Sequence, residues 1–123
     1  MKELEAVLFL KSQNSLEEVA EILSKELFGG LPFGGKEDYI RDEIPAIYID
    51  AEIMGSEIIL MGDDGVFTLN IIPYNHSELY SKEEIANSTQ VDLSEYLGVL
   101  LRKNEYVKVM SNNEIEEYQA QFE

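Results

Sequence analysis

Between Glu43 and Pro73 the chain reads as three strands joined by two tight turns, and this stretch limits the fold more than any other. Ile47, Ile49, Ala51 and Ile53 alternate with Ala46, Tyr48, Asp50 and Glu52. Residues two apart share a face of a strand, so the pattern describes a strand with one buried face. Met54-Gly55-Ser56 supplies a turn, and Glu57 to Met61 is apolar after its first residue. Asp63-Asp64-Gly65 then closes a second hairpin, because Asp-Gly between apolar runs suits a tight turn. In the last strand, Val66 to Ile72, Phe67, Leu69 and Ile71 oppose Thr68 and Asn70, and Pro73 ends the strand by removing a backbone donor.

The flanking segments supply the cover for such a sheet. Glu5 to Lys11 reads as a first strand. Ser15 and Glu18 have the spacing of a capping box, in which hydroxyl and carboxylate satisfy two free amides at a helix start. Leu16, Val19, Ala20, Leu23 and Leu27 follow as one apolar stripe, and Gly29-Gly30 stops the helix. Glu17, Glu18 and Glu21 read as residues that favour the helix dipole and solvate its outer face. The stretch GGLPFGGK satisfies the spacing of a phosphate-binding loop through Gly30, Gly35 and Lys36. Its surroundings contradict that chemistry, because Glu37 replaces the hydroxyl residue, a helix precedes the loop and a strand follows it. It therefore reads as a flexible surface loop, with Leu31 and Phe33 packed on the core or facing a partner.

Tyr74 to Gln90 is polar and irregular, with capping-box spacing again at Ser81 and Glu84, and His76 reads as an exposed loop residue. Asp92, with Glu95 three later, predicts a second helix whose buried stripe is Leu93, Leu97, Leu100 and Leu101. Gly98 within it suggests close packing on the sheet. Tyr106 to Met110 reads as a last strand, and the acidic tail from Asn113 as a short helix with Ile115, Tyr118 and Phe122 on one side. The expected architecture is α+β, one domain over residues 1–123. Its antiparallel sheet has a central three-stranded meander and two helices on one face, in the order βαβββαβ(α). A ferredoxin-like sheet with an added strand is the arrangement expected.

Charge bounds the partners. Twenty-five acidic against nine basic residues give a net charge of −16. Such a field repels nucleic acid and anionic membrane and attracts a basic partner. The chain has no cysteine, which excludes disulfides and thiolate metal sites. The only apolar run near the N-terminus, Ala6 to Leu10, is too short for a signal peptide core or a membrane span, so a cytoplasmic protein is expected. Neither a hydrolase elbow nor a zinc-protease motif occurs. Asp50, Glu52, Asp63 and Asp64 could gather around a hard cation, but their spacing is not that of a calcium loop. No enzyme, cofactor or metal is therefore expected, and a divalent-metal carboxylate enzyme is the lesser alternative.

Asp50 and Glu52 flank one strand face beside Tyr48. Solvation of an outer sheet face accounts for such residues, and a binding surface of carboxylates around an aromatic ring is the sharper reading. In size, acidity and lack of cysteine, the chain resembles the immunity proteins that bacteria make against toxins, including those of contact-dependent inhibition systems. The residues carrying the likeness are the loop GGLPFGG, the meander EIPAIYIDAEIMGSEIILMGDDGVFTLNIIP and the acidic helix faces. The resemblance implies a non-catalytic protein that binds a cognate basic toxin domain, a nuclease in many such pairs, and blocks it. Carboxylates would occupy the groups a nuclease offers to phosphate, with aromatic anchors supplying binding energy. The partner-binding residues expected on that basis are Asp38, Tyr39 and Asp42 beside the glycine loop, Tyr48, Asp50 and Glu52 on the sheet, and Asp63 and Asp64 at the turn. A peptide-binding regulatory module or a homodimer without a toxin partner is the other expectation.

Overall fold

The computed structural model describes residues 2–36, 46–49, 56–73 and 89–121. Its elements are β1 (Lys2–Lys11), α1 (Leu16–Leu27), β2 (Gly34–Lys36), β3 (Ala46–Ile49), β4 (Ser56–Asp63) and β5 (Val66–Pro73). They continue with β6 (Thr89–Asp92), α2 (Ser94–Leu101), β7 (Lys108–Val109) and α3 (Asn112–Ala120). The strands form one mixed sheet in the order β2-β3-β4-β5-β1-β6, with β7 also paired to β1.

The described strands of the meander follow the expected alternation, although Ala46, on the face opposite Ile47, is buried as well; Ala51, Ile53, Met54 and Gly55 lie outside the described residues. Ile47, Leu60, Leu69 and Leu8 lie in one row across four strands, and Ile49, Ile58, Ile71 and Ala6 in the next. All eight are buried in the main core. The turn between β4 and β5 has Asp64 at φ 54° and Gly65 at φ 90°, the double left-handed geometry that matches the twist of a two-residue hairpin. Helices α1 and α2 bury Leu16, Val19, Ala20, Leu23, Leu97 and Leu101 against this same face. Lys11, exposed at the end of β1, pairs with Glu114 in the first turn of α3.

Helix α1 starts with a full capping box. The Glu18 amide donates to Ser15 Oγ at 3.2 Å, and the Ser15 amide donates to Glu18 Oε1 at 3.0 Å. Hydrogen bonding from Ser15, its backbone amide first and its hydroxyl second, holds the Glu18 carboxyl below its ordinary range. A carboxyl lowered by folding adds stability above its unfolded pKa, and that stability is lost as pH falls through the lowered value. Ser15→Ala is expected to destabilise the protein by about 1 kcal/mol. Urea titrations at neutral pH check this, and only the part of the deficit owed to the Ser15 hydroxyl's bond with the Glu18 carboxylate is expected to fade as pH falls through the lowered value.

Several expectations are corrected. The sheet is not ferredoxin-like in strand order and is not purely antiparallel, because β6 runs parallel to β1, with Lys2 opposite Thr89 and Glu5 opposite Asp92. Within the stretch expected to be a loop, Gly34–Lys36 is a strand pairing with β3, which also removes any strand–loop–helix phosphate site. The irregular stretch before Asp92 ends in β6, beginning at Thr89. Asp92 and Glu95 form no capping box. Asp92 ends β6, its Oδ1 accepts from the Ser94 amide at 2.9 Å, and α2 starts one residue later than that box requires. Ser94, by hydroxyl and then by amide, holds the Asp92 carboxyl below its ordinary range. The last strand is shorter than Tyr106 to Met110, and Leu100 is 39% exposed instead of joining the buried stripe. A Cβ on Gly98 would meet only Leu8 Cδ2, at 4.0 Å, so packing does not demand glycine there. The expected turn at Ser81 to Ile85, His76 and Phe122 lie outside the described residues.

These corrections place one edge of the molecule. Strand β1 is completed on its outer side in pieces: β6 pairs with its start, Ser94 Oγ accepts from the Val7 amide at 2.9 Å, and β7 pairs with its end. Among the described residues, the other edge of the sheet is β2.

Candidate functional site

Helix α1 packs over β4 and α2 over β1. The sheet continues past α1 to β3 and β2, and the step between helix and sheet edge leaves a groove of about 570 Å³. Its helix wall is Glu17, Ala20, Glu21, Ser24 and Lys25, at the i, i+3, i+4, i+7, i+8 spacing of one helix side. Its other wall comes from Gly30, Pro32, Phe33 and Gly34, with Ile47 reaching it from β3.

The connection after α1 holds this wall in place. Gly29 and Gly30 take φ 62° and 91°, reversing the chain, and the Gly30 amide donates to the Ser24 carbonyl at 2.9 Å. Ser24 Oγ in turn donates to the Leu31 carbonyl at 2.6 Å. Phe33 meets Phe28 edge to face with ring centroids 6.0 Å apart, an arrangement favoured by the ring quadrupoles. The exposed glutamates Glu17 and Glu21 stand on the helix rim, and Glu21 pairs with Lys25 at 3.3 Å. A surface pair of this kind is weak, so both groups remain open to competition from another charge. The arrangement is an apolar trough with carboxylates along one bank. It suits a ligand with apolar and cationic groups side by side.

Of the eight partner-binding residues expected, only Asp64 is described in full; it is exposed at the β4–β5 turn. Tyr48 holds a register position between Gly34 and Ile59, and Asp63 one opposite Val66. Asp38, Tyr39, Asp42, Asp50 and Glu52 lie outside the described residues. The strand ends that flank them are placed. Ala46, which follows the segment holding Asp38, Tyr39 and Asp42, pairs with Met61 near the Asp64 turn. Ile49, just before Asp50, pairs with Ile58, five residues short of Asp63 and about 17 Å away along the strand.

In the sequence Ala20 and Ile47 read as core positions and Glu17 and Glu21 as solvating groups, and nothing there joins them to Ser24, Pro32 and Gly34 in a groove. The small residues Ala20 and Ser24 at helical spacing beside two glutamates are the signal that marks this wall. Among the described residues, no group of three or more His, Asp or Glu side chains could hold a metal ion, and no helix is long and apolar enough to cross a membrane. Comparison of the chain with protein-family models, curated proteins and solved structures finds no match.

Proposed function

We propose that this is a non-catalytic binding protein that captures a basic protein partner, and that the partner is a toxin domain which it neutralises. The observation that carries the reading is an apolar groove banked by Glu17 and Glu21 on a chain of net charge −16. Long-range attraction speeds the encounter, and apolar contact in the groove supplies the residence time. The likeness to bacterial immunity proteins supports the toxin as partner and the cytoplasm as the place of work. Asp38, Tyr39, Asp42, Tyr48, Asp50, Glu52, Asp63 and Asp64 extend the acidic surface in this reading. The test is capture from the source lysate with the purified chain as bait, at low and at high salt. One basic protein held at low salt and released by salt, whose own activity stops on binding, is the expected result. A captured partner that is acidic, or whose activity is unaffected, contradicts it.

A second reading rests on a different surface. Tyr96, Val99 and Leu100 on α2 are 61%, 50% and 39% exposed. Glu95 and Arg102 share a helix side with Val99, so two copies crossing antiparallel would match acid to base. A homodimer through α2 is expected to show a concentration-dependent mass in sedimentation equilibrium that Val99→Glu abolishes. A constant monomer mass removes this reading and leaves the first intact.

A further inference from the structure

The sheet edge beside the groove carries more than charge. Strand β2 pairs with β3 on one side, and among the described residues no strand pairs with its other side. An open edge presents unpaired amides and carbonyls to an incoming chain. Its first two residues are Gly34 and Gly35, and apart from its chain neighbours no described atom lies within 4 Å of where a Cβ would stand on Gly34. Glycine in a strand lets another backbone come close. The register shift between Gly34 and Lys36 keeps the regular edge short. A short, irregular edge is a poor template for stacking copies of this chain, so recognition there depends on side chains reaching the neighbouring groove.

We infer that β2 accepts an extended segment of the basic partner as an added strand, an inference that rests on the binding reading above. Backbone bonds to β2 hold the segment. Its side chains alternate, so every second one enters the groove. Apolar groups there meet Ala20, Pro32, Phe33 and Ile47, and lysine or arginine reaches Glu17 and Glu21 on the helix bank. The partner class is thus an extended segment whose groove-facing positions, two apart in sequence, carry apolar and basic residues in turn. An acidic segment of the same shape is repelled.

The test titrates the isotope-labelled full chain with a short, end-blocked peptide whose alternate positions carry valine and lysine in turn, with threonine between them, and follows backbone amide resonances. A second peptide has the same sequence with N-methyl groups on the amides that would face β2. A third replaces lysine by glutamate. Saturable shifts at Gly34, Gly35, Lys36, Ala20 and Ser24 with the first peptide are expected, with about tenfold or greater weakening by N-methylation and no binding of the glutamate peptide. Equal binding of the methylated and unmethylated peptides overturns strand addition and leaves charge-driven capture standing. Shifts confined to other surfaces, or no binding at all, also overturn it. Binding of the glutamate peptide as tightly as the lysine peptide overturns the charge-based reading itself.

Discussion

Gly62→Ala is expected to destabilise the protein by about 3 kcal/mol. Gly62 sits in β4 opposite Phe67 with φ 135°, a conformation that side-chain-bearing residues rarely adopt. A Cβ there would collide with the Val66 carbonyl oxygen and stand 2.8 Å from Phe67 Cα. Both are backbone atoms, so no side chain can turn aside. The φ strain contributes about 1–3 kcal/mol, and forcing the added methyl into packed backbone a further ~1–3 kcal/mol. The strain falls beside Phe67, among the largest fully buried side chains, so local relief would disturb the core. Thermal unfolding should show a midpoint about 10 °C lower, given the entropy of unfolding of a domain this size. Gly98→Ala is the control. Its Cβ meets only the end of Leu8 at 4.0 Å, and alanine replaces glycine inside a helix, so stability should rise by up to ~1 kcal/mol. Equal losses at both positions would contradict the assigned packing.

The second large effect concerns binding. Glu17→Lys with Glu21→Lys reverses the helix bank of the groove without touching a buried side chain. Affinity for the basic partner is expected to fall on the order of 100-fold at low salt, since each substitution removes an attraction and adds a repulsion. Stability should change much less. Lys25 loses its partner Glu21, and a lysine in the first helical turn opposes the dipole at a cost of a few tenths of a kcal/mol. An unchanged denaturation midpoint beside a large loss of affinity separates a binding role for these glutamates from a role in folding.

The sequence reveals those parts of the fold that local chemistry specifies. Ser15 and Glu18 mark the start of α1 because a capping box is a contact within one helical turn. Asp64-Gly65 marks a hairpin because the turn itself demands two left-handed residues. Ile47, Ile49, Leu69 and Ile71 fall on the buried face because alternation fixes that face. What the sequence hides depends on distant partners. Gly34-Gly35 has little strand preference of its own, and β2 exists through its pairing with Tyr48 and Ile47. Thr89–Asp92 becomes a strand by lying parallel to Lys2–Glu5, more than eighty residues away in the chain. No local signal encodes such a partner. The same limit hides the groove, which joins a helix side to a glycine edge through a chain reversal. Phe33 reads as a residue for the core or a partner, yet across the trough Ala20 reads as helix packing alone and Ser24 carries no local signal. The carboxylates singled out at first followed sequence clustering. Those on the groove follow the helix.

The central claim is that an acidic groove captures a basic partner without chemistry. It is tested most directly by calorimetric titration of the captured partner into the wild-type chain and into the doubly reversed chain, at low and at high salt. The expected result is tight wild-type binding that weakens steeply with salt, with most of that salt dependence lost in the Glu17→Lys, Glu21→Lys protein. Equal affinity of the two proteins, unaffected by salt, would contradict both the charge-driven capture and the place assigned to it.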